Sequence, residues 1–123
     1  MFTRRALLLA SPGLLVLPAA LRAGGHGRTG TFTGDSGHVT SGTAEIADNM
    51  VNLLDDFFFD GAPDPKVGLG RNGFDPTTLM GALQSNTGAQ SYDIPAGIDA
   101  DVYNQVWIWC ERFNVPLGVA QLS

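Results

Sequence analysis

The sequence predicts a small all-β domain, a sandwich or barrel of roughly seven to nine short antiparallel strands. Three observations predict it. β-branched and aromatic residues alternate with polar ones at period two over several short segments. Turn residues recur between those segments, drawn from 16 glycines and 7 prolines in 123 residues. No long apolar stripe at helical spacing breaks the pattern.

Residues 1–23, MFTRRALLLASPGLLVLPAALRA, place Arg4 and Arg5 ahead of an apolar run from Ala6 to Leu21. The run is shorter than the roughly 20 apolar residues a membrane span needs. Pro12, Gly13 and Pro18 interrupt it. A basic start, an apolar middle and small residues at the end read as a signal peptide, cut after Ala23 or after Ala20. Thr3 before the arginine pair, and Leu7 and Leu8 after it, resemble a twin-arginine signal. Leu9 stands where that pattern prefers lysine, so ordinary secretion and the twin-arginine route both stay open. No cysteine follows the run to carry a lipid. The expectation is an exported protein, periplasmic or secreted, with no transmembrane anchor after cleavage.

Export changes the charge. Three of the seven basic residues, and none of the twelve acidic ones, lie in the leader. The mature chain therefore carries four basic against twelve acidic residues, a net charge of −8. That charge repels phosphate backbones and excludes nucleic acid as a natural partner. It equally disfavours anionic membrane surfaces. A chain of this size buries roughly 65% of its unfolded surface, enough for a core without disulfides.

Residues 24–30, GGHGRTG, read as a flexible linker, with His26 inside it, and the folded domain runs over 31–123. HVTSGTAEIADN, from His38, alternates as a strand with His38, Thr40, Gly42, Ala44 and Ile46 on one face and Val39, Ser41, Thr43 and Glu45 on the other, and Asp48–Asn49 is a turn. MVNLLDDFFFD is a second strand, with Val51, Leu53, Phe57 and Phe59 on one face and a bulge near the aspartates. DGAPDP turns the chain, and KVGLG is a third strand. Asp75 before Pro76 fits an N-cap and first helical position, so a short helical turn or loop follows. SYDIP, QVWIWCERF and VPLGVAQL complete the set of strands.

Several motifs carry little chemistry. GLGRNG, with Gly68, Gly70 and Gly73, matches G-x-G-x-x-G, and Asp93 falls about 20 residues on. That fingerprint works only inside a βαβ unit, for which this chain has no room. Asp55, Asp56, Asp60 and Asp64 form an acidic cluster. Calcium is one reading of it, without the EF-hand spacing; a solvated turn that discourages edge pairing is the other. No metal ligand set is assigned. This acidic face is also the expected docking surface for a basic partner. Serines lack a G-x-S-x-G elbow, and one cysteine excludes C-x-x-C chemistry.

The stretch VYNQVWIWCERFNVPLGVAQL holds Trp107, Trp109 and the single cysteine, Cys110. Val106, Ile108 and Cys110 point one way; Trp107, Trp109 and Glu111 point the other. If the first face is the core, Cys110 is a small hydrophobe. If the second is, the thiol faces outward near Glu111 and Arg112. An exported lone cysteine is a buried inert thiol, half of an intermolecular disulfide, a redox-active sulfur or a cofactor ligand.

GTFTGDSGHVTSGTAEIADN, LLDDFFFDGAPDPKVGL and GAQSYDIPAGIDADVYNQVWIWCERFNVPLGVAQL, in that order, resemble the DM-thirteen domain family. The most specific parts are Pro63–Asp64, the Y-x-I-P from Tyr92 to Pro95, and V-W-I-W-C from Val106 to Cys110. Gly68 and Gly70 depart from it, standing where the family prefers bulkier side chains. The resemblance implies an all-β electron-transfer domain and a redox role for the matching Cys110, as a thiol or as ligand to a group such as haem. His38 is the only histidine within 31–123 and so the candidate second ligand. The expected function is an exported electron-transfer component with a redox partner in the cell envelope, rather than a stand-alone catalyst. The competing expectation is a binding or structural β-module with a passive cysteine.

Overall fold

The computed structural model describes residues 27–123. The expected signal peptide, its export route and His26 lie outside the described residues. Ten strands form: β1 Arg28–Gly34, β2 Thr40–Ser41, β3 Thr43–Ala47, β4 Met50–Leu53, β5 Phe58–Phe59, β6 Pro65–Gly70, β7 Phe74–Asp75, β8 Gln90–Asp93, β9 Gln105–Cys110 and β10 Val115–Gln121. Eight of them make one antiparallel sheet in the order β8-β4-β3-β1-β10-β9-β6-β7, while β2 and β5 make a separate ribbon. The sheet curls into a half-barrel. The all-β expectation holds, and the count rises to ten because β2, β5 and β7 are only two residues long.

The period-two pattern explains the core. Ala44 and Ile46 of β3 meet Val51 and Leu53 of β4, all 5% exposed or less. Their hairpin turns at Asp48 and Asn49, with φ of 53° and 62°. Two successive left-handed residues are the tight turn that matches strand twist. Phe57 and Phe59 join the same core, as their alternation with Val51 and Leu53 predicts.

Two long strands expected from the sequence are broken, each for a local reason. The segment from His38 divides at Gly42, whose φ is +96° and where a Cβ would lie 2.6 Å from the Phe57 Cα. The chain there steps from the ribbon to the main sheet. The segment from Met50 ends at Leu53, because Asp55 and Asp56 form a turn. Asp56 accepts hydrogen bonds from Thr43 N at 2.8 Å and Thr43 Oγ1 at 2.7 Å, which holds that turn against β3.

The first strand starts at Arg28, inside the segment read as linker. Gly30 is a packing residue: a Cβ there would collide with the Gln121 carbonyl oxygen. Arg28 donates to the Tyr103 carbonyl at 2.7 Å and the Ala100 carbonyl at 2.8 Å, tying the strand to the loop before β9. The helical turn at Pro76–Thr78 is present as 3-10 helix, with Asp75 Oδ1 accepting from Thr77 N at 2.9 Å as an N-cap. Among the described residues, no helix is long and apolar enough to cross a membrane.

Replacing Gly30 with alanine is expected to lower folding stability by about 1–3 kcal/mol, since the sheet must part to admit the methyl group. Thr29→Ala, on an exposed position of the same strand, should change it by less than about 0.5 kcal/mol. Urea midpoints with unchanged slopes measure both; equal midpoints for the two variants would refute the close approach.

Candidate functional site

β9 settles which face is the core. Val106 and Ile108 are 0% exposed and Cys110 is 1% exposed, while Trp107 and Trp109 are half-buried on the opposite face. Cys110 is a free thiol, placed between Pro65 on β6 and Val115 on β10. The outward-facing alternative is therefore corrected: burial of Val106 and Ile108 carries the sulfur inward with them.

The end of that strand is clamped. The Asp64 carbonyl accepts from Glu111 N at 3.2 Å, and its carboxylate accepts from Arg112 N at 3.0 Å. Lys66 bridges Glu111 and Asp64. Its ammonium is held above its usual pKa by the bond to Glu111 first and to Asp64 second. The Pro63–Asp64 motif thus fixes the turn that follows Cys110. The Y-x-I-P motif has a similar duty. Tyr92 and Ile94 are buried, and the Tyr92 hydroxyl accepts from Gln84 N at 2.8 Å while donating to Gln90.

The outer face of β9 is covered by aromatic stacking. Phe74 lies on Trp109 with ring centroids 4.2 Å apart and planes 15° apart, and Trp107 meets Trp109 edge-on at 5.9 Å. Gly68 and Gly70 make this possible. A Cβ at Gly68 would lie 2.6 Å from Phe74 Cε1, and one at Gly70 would strike the Trp107 indole. The glycine-rich β6 is therefore the floor of an aromatic layer. Each indole N–H is satisfied, Trp107 by Gln105 at 3.1 Å and Trp109 by Asn114 at 3.2 Å.

His38 sits elsewhere in the hydrogen-bond network. Its Nδ1 bonds Asp60 Oδ1 at 2.8 Å, and its ring centroid is 5.6 Å from that of Phe59. Asp60 also accepts from Val39 N at 3.0 Å, so the pair holds the loop before β2 onto the ribbon. Neither His38 nor Cys110 lines the cavity of about 270 Å³ found beside the β3–β4 hairpin. The residues as arranged do not fit a haem-type group. Cys110 has packed strands on both sides and 1% exposure, and His38 commits one ring nitrogen to Asp60.

The acidic cluster is largely spent inside the fold. Bonds from Thr43 hold the Asp56 carboxyl below its ordinary 3.8, and bonds from Val39 and then His38 do the same for Asp60. Asp64 serves the β9 clamp. Among the described residues, no three His, Cys, Asp or Glu side chains converge as a metal site requires. Of the carboxylates that accept no hydrogen bond among the described residues, Asp48 and Asp101 lie at the cavity, and Asp55 and Asp93 lie outside its lining. Sequence reading noticed the Asp48–Asn49 turn but not its meeting with the I-D-A-D segment Ile98–Asp101, which only the three-dimensional fold brings close.

With its one thiol inside the core and several of its charged groups serving strand ends, the chain is a small all-β domain of the module type. It belongs to the electron transfer DM13 family, whose model matches residues 31–122. That span covers nearly all of the described chain. Comparisons with curated proteins and with solved structures returned no match.

The lowered carboxyls set the acid response. A carboxyl held below 3.8 in the fold stabilises it at pH above 3.8 and loses that contribution as pH falls below 3.8 toward the folded value. Urea midpoints of the wild type should therefore fall on acidification below about pH 4. In Asp56→Asn the fall should be shallower, because one linked proton is gone. A variant profile parallel to the wild type would contradict the Thr43–Asp56 linkage.

Proposed function

We propose that the protein is an exported electron-transfer module that works by association with a redox partner in the cell envelope, and that Cys110 serves it as a core side chain. Family membership supports the electron-transfer part. The leader sequence and the net charge of the mature chain support export and a partner-binding mode. The observation that carries the Cys110 part is its 1% exposure between β6 and β10. Thiol exchange and metal ligation both need an approaching atom to reach Sγ. Packed strands deny that approach, so the neutral side chain fills space as a small hydrophobe. No nucleophile, base and orienting carboxylate are assigned, and the chain acts as a component rather than a stand-alone catalyst.

A second reading keeps Cys110 as the redox sulfur or as a cofactor ligand with His38. One observation favours it. Cys110 is the last residue of β9, and Glu111 to Asn114 beyond it are all exposed. Opening of that single turn would bring the sulfur to the surface.

The two readings separate in a thiol titration of protein from the exported fraction. Under native conditions a disulfide-exchange reagent should leave Cys110 unreacted, and one thiol per chain should appear after denaturation. The visible spectrum should be featureless. Fast native reaction, or a Soret band lost in Cys110→Ser, would overturn the core assignment in favour of the redox sulfur. The electron-transfer part is read separately, as the rate at which envelope fractions reduce a basic c-type cytochrome. The rate should rise when the purified protein is added; an unchanged rate counts against it.

A further inference from the structure

The cavity beside the β3–β4 hairpin has a chemistry of its own. Its lining is mixed, with Ile46 buried and Ile98 half-buried beside the exposed Asp48, Asp99 and Asp101. Arg28 forms one wall, but two backbone carbonyls hold its guanidinium and it makes no ion pair with those aspartates. Asp56, Asp60, Asp64 and Asp75 give their oxygens to donors within the fold. Asp48 and Asp101 accept no hydrogen bond from the described residues, and Asp99 uses one oxygen on Asp101 N at 3.0 Å. Val102, 44% exposed, adds apolar surface alongside.

A hollow of about 270 Å³ whose lining joins two isoleucines to three carboxylates selects among ligands. Small anions are repelled by the three aspartates. A bare metal ion needs converging oxygens, which this lining does not supply. A long cationic side chain fits both features, because its aliphatic stem can lie on isoleucine while its head stays among carboxylates. The net charge of −8 on the mature chain also favours a basic protein as the source of that side chain.

We propose that this cavity is the docking site for a basic partner protein, seating a lysine or arginine with its stem on Ile46 and Ile98 and its charge among Asp48, Asp99 and Asp101. The proposal rests on the reading of the chain as an electron-transfer module that acts by association. It moves the docking face from Asp60 and Asp64, whose carboxylates the fold already uses, to the hairpin end.

The test is an NMR titration of the ¹⁵N-labelled mature protein with a capped tetralysine peptide at low salt. Amide shifts should saturate and concentrate at residues 46–49 and 98–102. The double change Asp48→Asn with Asp101→Asn should weaken binding about five- to tenfold. Asparagine tolerates the left-handed backbone at position 48, where φ is 53°, so the fold is kept. The double change Asp35→Asn with Asp55→Asn is the control, since both residues lie outside the cavity lining and the same two charges are removed; it should change affinity less than about twofold. Added salt should weaken binding in the wild type. Shifts spread evenly over the acidic surface, or a loss in the Asp35→Asn, Asp55→Asn control matching that of the cavity variant, would overturn the site. Failure of the docking site and failure of the electron-transfer reading are distinguishable. The first shows in the peptide titration with the cytochrome assay intact; the second shows as a negative cytochrome assay beside an intact, saturable cavity.

Discussion

The fold depends on covering β9 from both sides. The strand lies between β6 and β10, and its inner side chains Val106, Ile108 and Cys110 are almost wholly buried. Its outer side chains are two tryptophans, too large and apolar to leave in water without a cover. Phe74 and the glycines of β6 supply that cover. Such a strand keeps only a half-covered outer face, and the fate of its sulfur follows from the alternation. Where Val106 and Ile108 go, Cys110 goes.

Charged groups then act as fasteners at the ends of that construction. Asp64 receives backbone N–H groups from the turn after β9, Asp56 receives Thr43 from β3, and Asp60 receives Val39 ahead of β2. Each replaces a backbone partner that an irregular segment lacks. A carboxylate used this way is poorly placed to meet another molecule. The acidic excess of the chain therefore does not translate into a uniform acidic surface. It resolves into carboxylates that are occupied and a smaller set that are open, and two of the open ones, Asp48 and Asp101, bring charge to the cavity.

Much of this was legible in the sequence. Period two grouped Ala44 with Ile46 on one face, and Val51, Leu53, Phe57 and Phe59 on one face, and all six are in the core. Asp75–Pro76 gave the capped turn, and Asp48–Asn49 the hairpin. What was not legible depended on distant partners. Gly30 read as linker because its meaning is the Gln121 carbonyl, far along the chain. Gly68 and Gly70 read as a departure from the family because their meaning is Phe74 and Trp107. Two long strands were expected where the chain bends at Gly42 and at Asp55–Asp56, since alternation persists through a bend that hydrogen bonds do not. For the site, the alternation framed two orientations for Cys110 and could not choose, because both faces of β9 are apolar in sequence.

The position of the sulfur bears on how a module of this family can act. Chemistry at a thiol and recognition at a surface impose opposite demands on the surrounding residues. A reactive sulfur needs an approach path and a neighbouring group to take its proton, whereas a packed strand needs neither. Here the residues nearest in register to Cys110 are Pro65 and Val115, which offer no proton acceptor in their side chains. The nearby ionic groups, Glu111 next in sequence and Lys66 on the neighbouring strand, are paired with each other at the strand end. Access and proton transfer are thus both arranged away from the sulfur. The cavity shows the reverse arrangement, with open carboxylates beside Ile46 and Ile98, and it is there that the chain presents chemistry another molecule can reach.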